Sequence, residues 1–430
     1  MNVLARVVGR AAAGVVALVL CDAPMRADAS QADLDARIRS AFDSAYNLDH
    51  ETALATARRA AIDAPDESRA HRTLAGILWL QALFHRGALT VDHYMGGLTR
   101  SPVTLPKPPA AIEQEFTASI TRAIELADAR LDRAPRDPDA LYDAGAAYGL
   151  RASWIASVEG NVRGAFRTAR RAFLTQKQVL EVAPDRVGAG AVVGTYRYAI
   201  AGLGFAPRMF AYLVGFEGGK DEGIALLEAA AGPGSSSRHE ARTALVLIYS
   251  REGRHEDAFA LLTNMAAAFP GNRILVLERG AAAVRAGRAA EADAILSAGI
   301  AAFDSDPRRK LRGERALWFY RRGLARLALE RPEAASADLE TALASGPEEW
   351  IRGRIELGLG KVADLGGRRA EALERYTRAR DIARATNDPA GLAEANRLID
   401  TPFSVTSRRA GPGRTVQFSR RGHRNAWMLV

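Results

Sequence analysis

Apolar and small residues recur along this chain at intervals of three to five, which predicts amphipathic helices packed against one another. The pattern is clearest in one set of positions with spacings of 4, 4, 5, 4 and 8: Leu245, Tyr249, Gly253, Ala258, Leu262 and Pro270. Three of these return 34 residues later as Gly287, Ala292 and Leu296. Small residues let two helices cross closely, larger ones fill the gaps beside them, and proline ends the second helix.

The same phase continues on both sides of this stretch. It is regular over 238–384 and more divergent over 30–237, and residues 385–401 are typical of a capping helix. Further positions that keep the phase are Gly280, Gly323, Ala335, Gly360 and Ala372. The pattern resembles the tetratricopeptide repeat, and we predict an all-α solenoid of about eight antiparallel helix pairs with a C-terminal cap. A generic antiparallel bundle would not hold a 34-residue phase.

Two stretches interrupt the array. Residues 96–111 hold four prolines and are predicted to form a loop, because proline cannot continue a helix. Residues 200–219 form an apolar insert that contains Pro207 and Arg208, and a helix is expected to start near Asp221. The insert is too short and broken to span a bilayer. Burial in the superhelix is the favoured interpretation, and contact with a membrane surface is the alternative.

Residues 66–384 also resemble a narrower family, that of tetratricopeptide repeat protein 39 and the related fungal outer mitochondrial membrane proteins. The match lies in a proline-marked apolar segment that leads into a glycine-rich turn: Pro207, Gly215, Phe216, Gly218, Gly219 and Gly223. An early long helix, predicted over His71–Met95, lies where that family has one. The resemblance implies an adaptor-like role at membranes and no settled catalytic activity.

The first 29 residues have the pattern of a secretory signal peptide. Arg6 and Arg10 precede the apolar run 11–20, and small residues favour cleavage after Ala29. This predicts a periplasmic or otherwise exported protein, with a first helix or a membrane anchor as the alternatives. Cys21, the one cysteine, also fits a lipoprotein signal, although Leu20 before it is larger than usual there. Cleavage after Ala29 would leave a mature chain without a thiol.

The charge is unevenly spread. The formal net charge is +9, and residues 402–430 contribute six arginines and no acid. The body is therefore close to neutral, which argues against a dedicated nucleic-acid surface. The tail is predicted to be disordered. Contact with anionic lipid or nucleic acid, and a tail without a selected function, remain open for it.

Catalytic patterns are weak in this sequence. His85 and His93 lie eight residues apart, which would place them on one face of a helix, but the two-histidine zinc motif with spacing four is absent. No glycine-rich phosphate loop follows a strand pattern, and no serine has the setting of a nucleophile elbow. We expect no catalytic residue, metal or cofactor. An enzyme would depend on the two histidines.

The concave groove is the expected binding site. Its predicted lining mixes apolar residues with arginines: Tyr142, Thr243, Leu247, Arg251, Leu277, Arg285, Tyr320, Leu324 and Leu327. This lining suits an amphipathic helix or an extended peptide with some acidic character. It lacks the asparagines of a two-carboxylate clamp, because Leu247, Ala281 and Leu324 stand there. For each residue, packing against the chain itself is the alternative.

These patterns predict an exported, non-catalytic scaffold that binds a protein or peptide partner of unknown identity in its groove. The alternative is a protein associated with a membrane surface through the apolar insert and the basic tail.

Overall fold

A computed structural model describes residues 31–95, 106–203 and 205–404 of the 430-residue chain. Those residues form helices joined by turns, and no strand occurs among them. The predicted all-α fold is confirmed. The predicted signal peptide with Cys21, residues 96–105 of the proline-rich loop and residues 405–430 of the tail lie outside the described residues.

The helices pack in consecutive pairs. In chain order they are α1 (31–46), α2 (His50–Asp63), α3 (Ser68–Arg86), α4 (Val91–Met95), α5 (Ala110–Arg133), α6 (Pro138–Ser157), α7 (Val162–Val182), α8 (Gly190–Ala201), α9 (Phe205–Leu213), α10 (Lys220–Ala230), α11 (Arg238–Arg251), α12 (His255–Ala268), α13 (Arg273–Arg285), α14 (Ala289–Ser305), α15 (Glu314–Ala328), α16 (Pro332–Ala344), α17 (Glu349–Leu365), α18 (Arg369–Ala385) and α19 (Pro389–Asp400). The pairs are α1/α2, α3/α5, α6/α7, α8/α10, α11/α12, α13/α14, α15/α16 and α17/α18, and α19 packs on the last pair. The predicted solenoid with its capping helix is confirmed.

The recurring glycines have two different structural roles. Gly280 and Gly323 lie at helix crossings, where an added Cβ would meet Leu296 at 2.5 Å and Leu339 at 2.9 Å. Gly253 and Gly287 were expected at such crossings too, and this was wrong. They lie in the turns between helices with φ of 73° and 78°, a left-handed conformation that favours glycine.

The other repeat positions lie within the helices or directly after them. The alanines at the second-helix position are buried at the pair interfaces: Ala258, Ala292, Ala335 and Ala372. Gly360 packs against the ring of Tyr376 in the last pair. Pro270 follows the end of α12. Because these small residues are buried within successive helix pairs, the core is distributed along the array instead of forming one centre.

The predicted long helix His71–Met95 is interrupted, and this corrects the prediction. It ends at Arg86, because Gly87 adopts a left-handed φ of 75° and caps it. The short α4 follows after a turn. His85 and His93 are therefore not on one helix, and the side chain of His93 lies outside what the structure describes.

The apolar insert was expected to be buried, and this holds only for its flanks. Ile200 and Phe216 are buried, but α9 between them exposes 74% of Phe205 and 82% of Leu213. Met209 and Tyr212 are exposed on the same helix. Within the described ranges, no helix combines the length and the apolarity needed to cross a bilayer.

Candidate functional site

The N-terminal end of the solenoid contacts a turn between two of its later helices. The turn between α1 and α2 contacts the turn between α12 and α13, where the backbone N–H of Gly271 donates to Asn47 Oδ1 at 2.9 Å. The side-chain amide of Asn272 donates to the carbonyl of Tyr46 at 2.6 Å, and Arg308 donates to the carbonyl of Asn47 at 2.7 Å. We call this contact the seam. It closes the concave side of the first repeats into a cavity.

The cavity, here called the chamber, has a volume of about 1760 Å³. Its walls come mainly from the first helices of successive pairs, α1, α3, α6, α8 and α11. Several apolar side chains on these walls are only partly buried, and we call them the apolar floor: Phe42, Trp79, Leu80, Leu150 and Leu247. The indole of Trp79 donates to Ser157 Oγ at 3.0 Å, which holds the ring in the wall. The chamber thus offers apolar surface to a ligand.

Ion pairs frame this apolar floor. Arg69 pairs with Asp35 at 2.6 Å, and Arg72 pairs with Asp143 at 3.2 Å. Burial raises the pKa of Asp143, although the neighbouring Arg72 opposes that shift. Glu240 also lines the chamber, and its side chain is exposed there. Because acids and arginines alternate on the walls, no single charge sign dominates the chamber.

The concave surface of the later repeats is filled by the chain itself. Residues 87–95, here called the strap, cross the first helices α11, α13 and α15, whose concave surface we call the groove. Asp92 accepts from Arg285 at 3.1 Å and from Arg321 at 3.0 Å. Arg251 donates to the carbonyl of Tyr94 at 2.7 Å.

The charges at this contact stabilise one another. Burial would raise the pKa of Asp92, but the charges of Arg321, Arg285 and Arg354 outweigh it and lower the pKa to about 2. Asp92 therefore stays ionised through the physiological range. Burial would lower the pKa of Arg321, and the carboxylates of Glu278 and Asp92 raise it instead.

The structure separates the predicted groove residues into three groups. Tyr142, Thr243 and Leu247 line the chamber. Arg251 and Arg285 hold the strap. The remaining four pack into the core of the repeats: Leu277, Tyr320, Leu324 and Leu327. Their role in binding a partner stays a prediction.

Sequence reasoning missed several residues that build these surfaces. Trp79 and Leu150 belong to divergent repeats whose phase is weak, so their concave position was not visible. Asp92 and Arg321 meet across 229 residues, and local periodicity carries no information on such a contact. Among the described residues, no group of three or more histidine, cysteine, aspartate or glutamate side chains is arranged to hold a metal ion.

Comparison with known proteins agrees with this architecture. Residues 250–312, from the end of α11 to the turn before α15, match the family model of the tetratricopeptide repeat. No curated protein matches the chain.

Three solved structures are similar to the chain. A tetratricopeptide repeat protein from Parabacteroides merdae has 14% identity over 76% of this chain and 98% of its own, with a TM-score of 0.29. The human IFIT1 dimer with m7Gppp-AAAA has 15% identity over 83% and 78%, with a TM-score of 0.39. Yeast Tom70 has 11% identity over 82% and 86%, with a TM-score of 0.37. These likenesses concern the fold alone.

The helix pairs, their turn glycines and the family match define an α-solenoid of the kind that serves as a scaffold for protein interactions. Residues 250–312 match the tetratricopeptide repeat family, and the helix pairs on either side of them continue the same architecture. The narrower resemblance of residues 66–384 to tetratricopeptide repeat protein 39 stays a prediction.

Proposed function

We propose that this chain is an exported, non-catalytic scaffold that binds a peptide segment of a partner protein in the chamber. The observation that carries the proposal is the apolar floor, where Phe42, Trp79 and Leu150 are accessible inside a closed ring of helices. The chamber volume of about 1760 Å³ exceeds the roughly 300–1,000 Å³ of ordinary small-molecule pockets. A peptide is therefore the ligand class that fits its size.

The walls also favour a particular kind of peptide. Apolar side chains on one face of a helix or strand would cover the floor, and the frame of arginines would pair with acids on the same peptide. Arg69 and Arg72 already have acidic partners in the chamber wall. Ion pairs between these arginines and the peptide would therefore contribute more to its orientation than to its affinity. An amphipathic segment with some acidic residues is the expected ligand.

Photocrosslinking in the native host tests this proposal. A photoreactive residue replaces Leu150 or, separately, Leu247, and the crosslinked products are identified by mass spectrometry. A probe at Ile62, which is 68% exposed on α2 and does not line the chamber, is the matched control. One protein recurring at both chamber positions and missing at Ile62 supports the proposal. Products that contain only this chain at all three positions contradict it.

Export is part of the proposal and has its own test. We expect the mature chain to be recovered outside the cytoplasm with Ser30 as its first residue, because residues 27–29 form a small-residue cleavage site. N-terminal sequencing of the fractionated protein measures this. An N-terminus at a lipidated Cys21, lost in Cys21→Ser, would establish the lipoprotein alternative. An uncleaved cytoplasmic chain would contradict export in either form.

A second candidate function is attachment to a membrane surface, and α9 favours it. Four apolar side chains of this helix are exposed: Phe205, Met209, Tyr212 and Leu213. The helix is fixed to the body, since Arg170 donates to the carbonyl of Val214 and Phe216 packs against Phe173. An exposed apolar face on a short helix suits insertion into the headgroup region of a bilayer.

Sedimentation with anionic phosphatidylglycerol vesicles tests this second function. We expect binding that falls in the double variant Phe205→Gln, Leu213→Gln and persists in Ile62→Gln, which removes an exposed apolar side chain elsewhere. Equal sedimentation of all three proteins would exclude α9 as the attachment site.

A further inference from the structure

We propose that the groove of α11, α13 and α15 is a second binding site, one that recognises an acidic residue on a short helix of a partner and is occupied here by the strap as an internal ligand. This proposal rests on the proposed function, since it takes the molecule to be a peptide-binding scaffold. It differs in location and ligand chemistry, because the chamber presents an apolar floor and the groove presents paired arginines.

The charge of the groove requires an acidic ligand. Arg285 and Arg321 both pair with Asp92, and the guanidinium of Arg321 also donates to Glu278 Oε1 at 2.7 Å. Without Asp92, Arg285 would lose the carboxylate it pairs with, and Arg321, which is 1% exposed, would keep only Glu278. A buried charge without a partner strongly destabilises a protein, so this position must be filled by a carboxylate whenever the groove is closed.

The groove also offers more hydrogen-bonding groups than the strap uses. Nε and Nη1 of Arg321, Nε and Nη2 of Arg285, and Oε2 of Glu278 are buried and find no hydrogen-bond partner in the described part of the chain. Asp92 engages one nitrogen of each arginine. Because a carboxylate bound by both nitrogens of a guanidinium forms a stronger and more specific pair, a ligand with a longer acidic side chain has unused donors to bind.

The strap shows the shape of the ligand that fits. Its five-residue helix places Val91 in a buried apolar cluster with Val246, Phe259 and Leu262, and Asp92 pairs with the arginines. The backbone carbonyl of Tyr94 then accepts from Arg251. The recognised pattern is therefore an apolar residue followed at once by an acid, on a single helical turn.

Replacement of the strap would also enlarge the chamber. Ala88, Thr90, Val91 and Tyr94 form part of the chamber wall, so the strap separates the two concave surfaces. A ligand that displaced it would open a continuous surface from the apolar floor to the arginines. The two sites would then bind one longer peptide, with its apolar part in the chamber and its acidic part in the groove.

The proposal is tested by measuring how tightly the full chain binds a fluorescein-labelled synthetic peptide of residues 87–95. Fluorescence anisotropy reports the binding. The wild type should bind it weakly, because its own strap is tethered at a high effective concentration. Asp92→Arg should expel the strap by repulsion from Arg285 and Arg321, and bind the peptide at least about tenfold more tightly. The same peptide with asparagine at the Asp92 position should lose that gain.

Circular dichroism first establishes that Asp92→Arg is folded. A folded variant that binds neither peptide overturns the proposal, because the groove would then be a fixed part of the core. If the variant does not fold, hydrogen exchange of the wild type decides instead. An excess of the peptide with glutamate at position 92 should speed exchange of amides 88–95, and unchanged exchange overturns the proposal. Crosslinks from Leu150 report on the chamber in either case, so failure here is separate from failure of the proposed function.

Discussion

The chamber and the groove are built from the same kind of surface and differ in what covers it. In both, the first helices of successive pairs form the concave side. In the chamber, Trp79 and Leu150 remain accessible, whereas in the later repeats Leu277 is fully buried and the strap covers the arginines. The regular repeats, which carry the family match, are thus the ones whose concave surface is occupied. A repeat signature predicts the fold without indicating which surface is free.

Their ion pairs differ in the same way. Arg69 and Asp35 at the chamber have side chains that are 29% and 43% exposed, and Arg321 and Glu278 at the groove are 2% and 5% exposed. Exposed pairs are worth about 0–1 kcal/mol, while loss of one partner of a buried pair costs about 3–5 kcal/mol. The stability of the groove therefore depends on the Arg321–Glu278 pair more than the stability of the chamber depends on the Arg69–Asp35 pair.

Two tryptophan variants give the largest expected contrast. Trp318 is fully buried among the later repeats, so Trp318→Ala should lower the free energy of unfolding by about 3–5 kcal/mol. Trp79 is partly exposed, and Trp79→Ala should lower it by about 1–2 kcal/mol while weakening partner binding. Urea unfolding followed by circular dichroism measures both. Equal losses would show that the floor of the chamber is packed as core.

The ion pairs supply the next contrast. Arg321→Met leaves Glu278 and Asp92 without their shared partner and should cost about 3 kcal/mol. Arg69→Met, the matched change at the chamber, should cost less than about 1 kcal/mol. Urea unfolding again provides the measurement. A small loss for Arg321→Met would mean that Arg285 takes over the neutralisation of both acids.

Much of the fold was predictable because its rules are local. The spacing of Gly280, Ala292 and Pro270 gave the helix pairs, since packing within a pair involves neighbours in sequence. The role of Gly253 was misjudged, because a small residue for close packing and a glycine for a left-handed turn look alike in one sequence. Helical periodicity likewise continued through Gly87, which conceals the end of α3.

The sites were less predictable because they depend on long-range geometry. The seam joins residues 224 apart, and its closure results from small rotations added over successive pairs. No periodicity in the sequence reports that sum. Leu247 was predicted to line the groove and lines the chamber in the structure. The sequence could not show that Asp92 would fill one part of the concave surface and leave the other open.

As the pH is lowered, the seam should lose stability at a higher pH than the contact between the strap and the groove. Burial, the nearby His85 and the charge of Arg273 lower the pKa of His50 at the seam to about 4, with Arg308 acting in the same direction and Asp49 opposing it. The unfolded chain therefore binds the proton more readily. The free energy of unfolding should therefore fall by about 1–2 kcal/mol as the pH drops from about 6.5 to about 4. The Asp92 contact should weaken only below about pH 4, the ordinary pKa of an aspartate.

Thermal unfolding at pH 7.5, 5.5 and 4.5 measures this window. The variant His50→Phe, which keeps a ring beside Phe84 and cannot titrate, should flatten the dependence. A dependence of the same size in the variant would assign the effect to other groups, such as His239, whose pKa burial also lowers.

The smallest expected effect concerns the closure of the chamber itself. Asn47→Ala removes the acceptor of the Gly271 N–H and should cost about 1 kcal/mol in urea unfolding. The exposed Asn264 on α12 is the matched control, and Asn264→Ala should change stability by less than about 0.5 kcal/mol.

Distance is the more direct readout of the seam. Spin labels at Ser40 on α1 and Asn264 on α12, both exposed, should give one narrow distance distribution in the closed ring. Asn47→Ala should broaden it, because Arg308 and Asn272 then hold the turn through its backbone carbonyls alone. A distribution that stays narrow in the variant would show that these two contacts suffice to close the chamber. A broad distribution in the wild type would mean that the seam opens in the absence of a partner. The chamber and the groove would then differ in their dynamics as well as in what covers them.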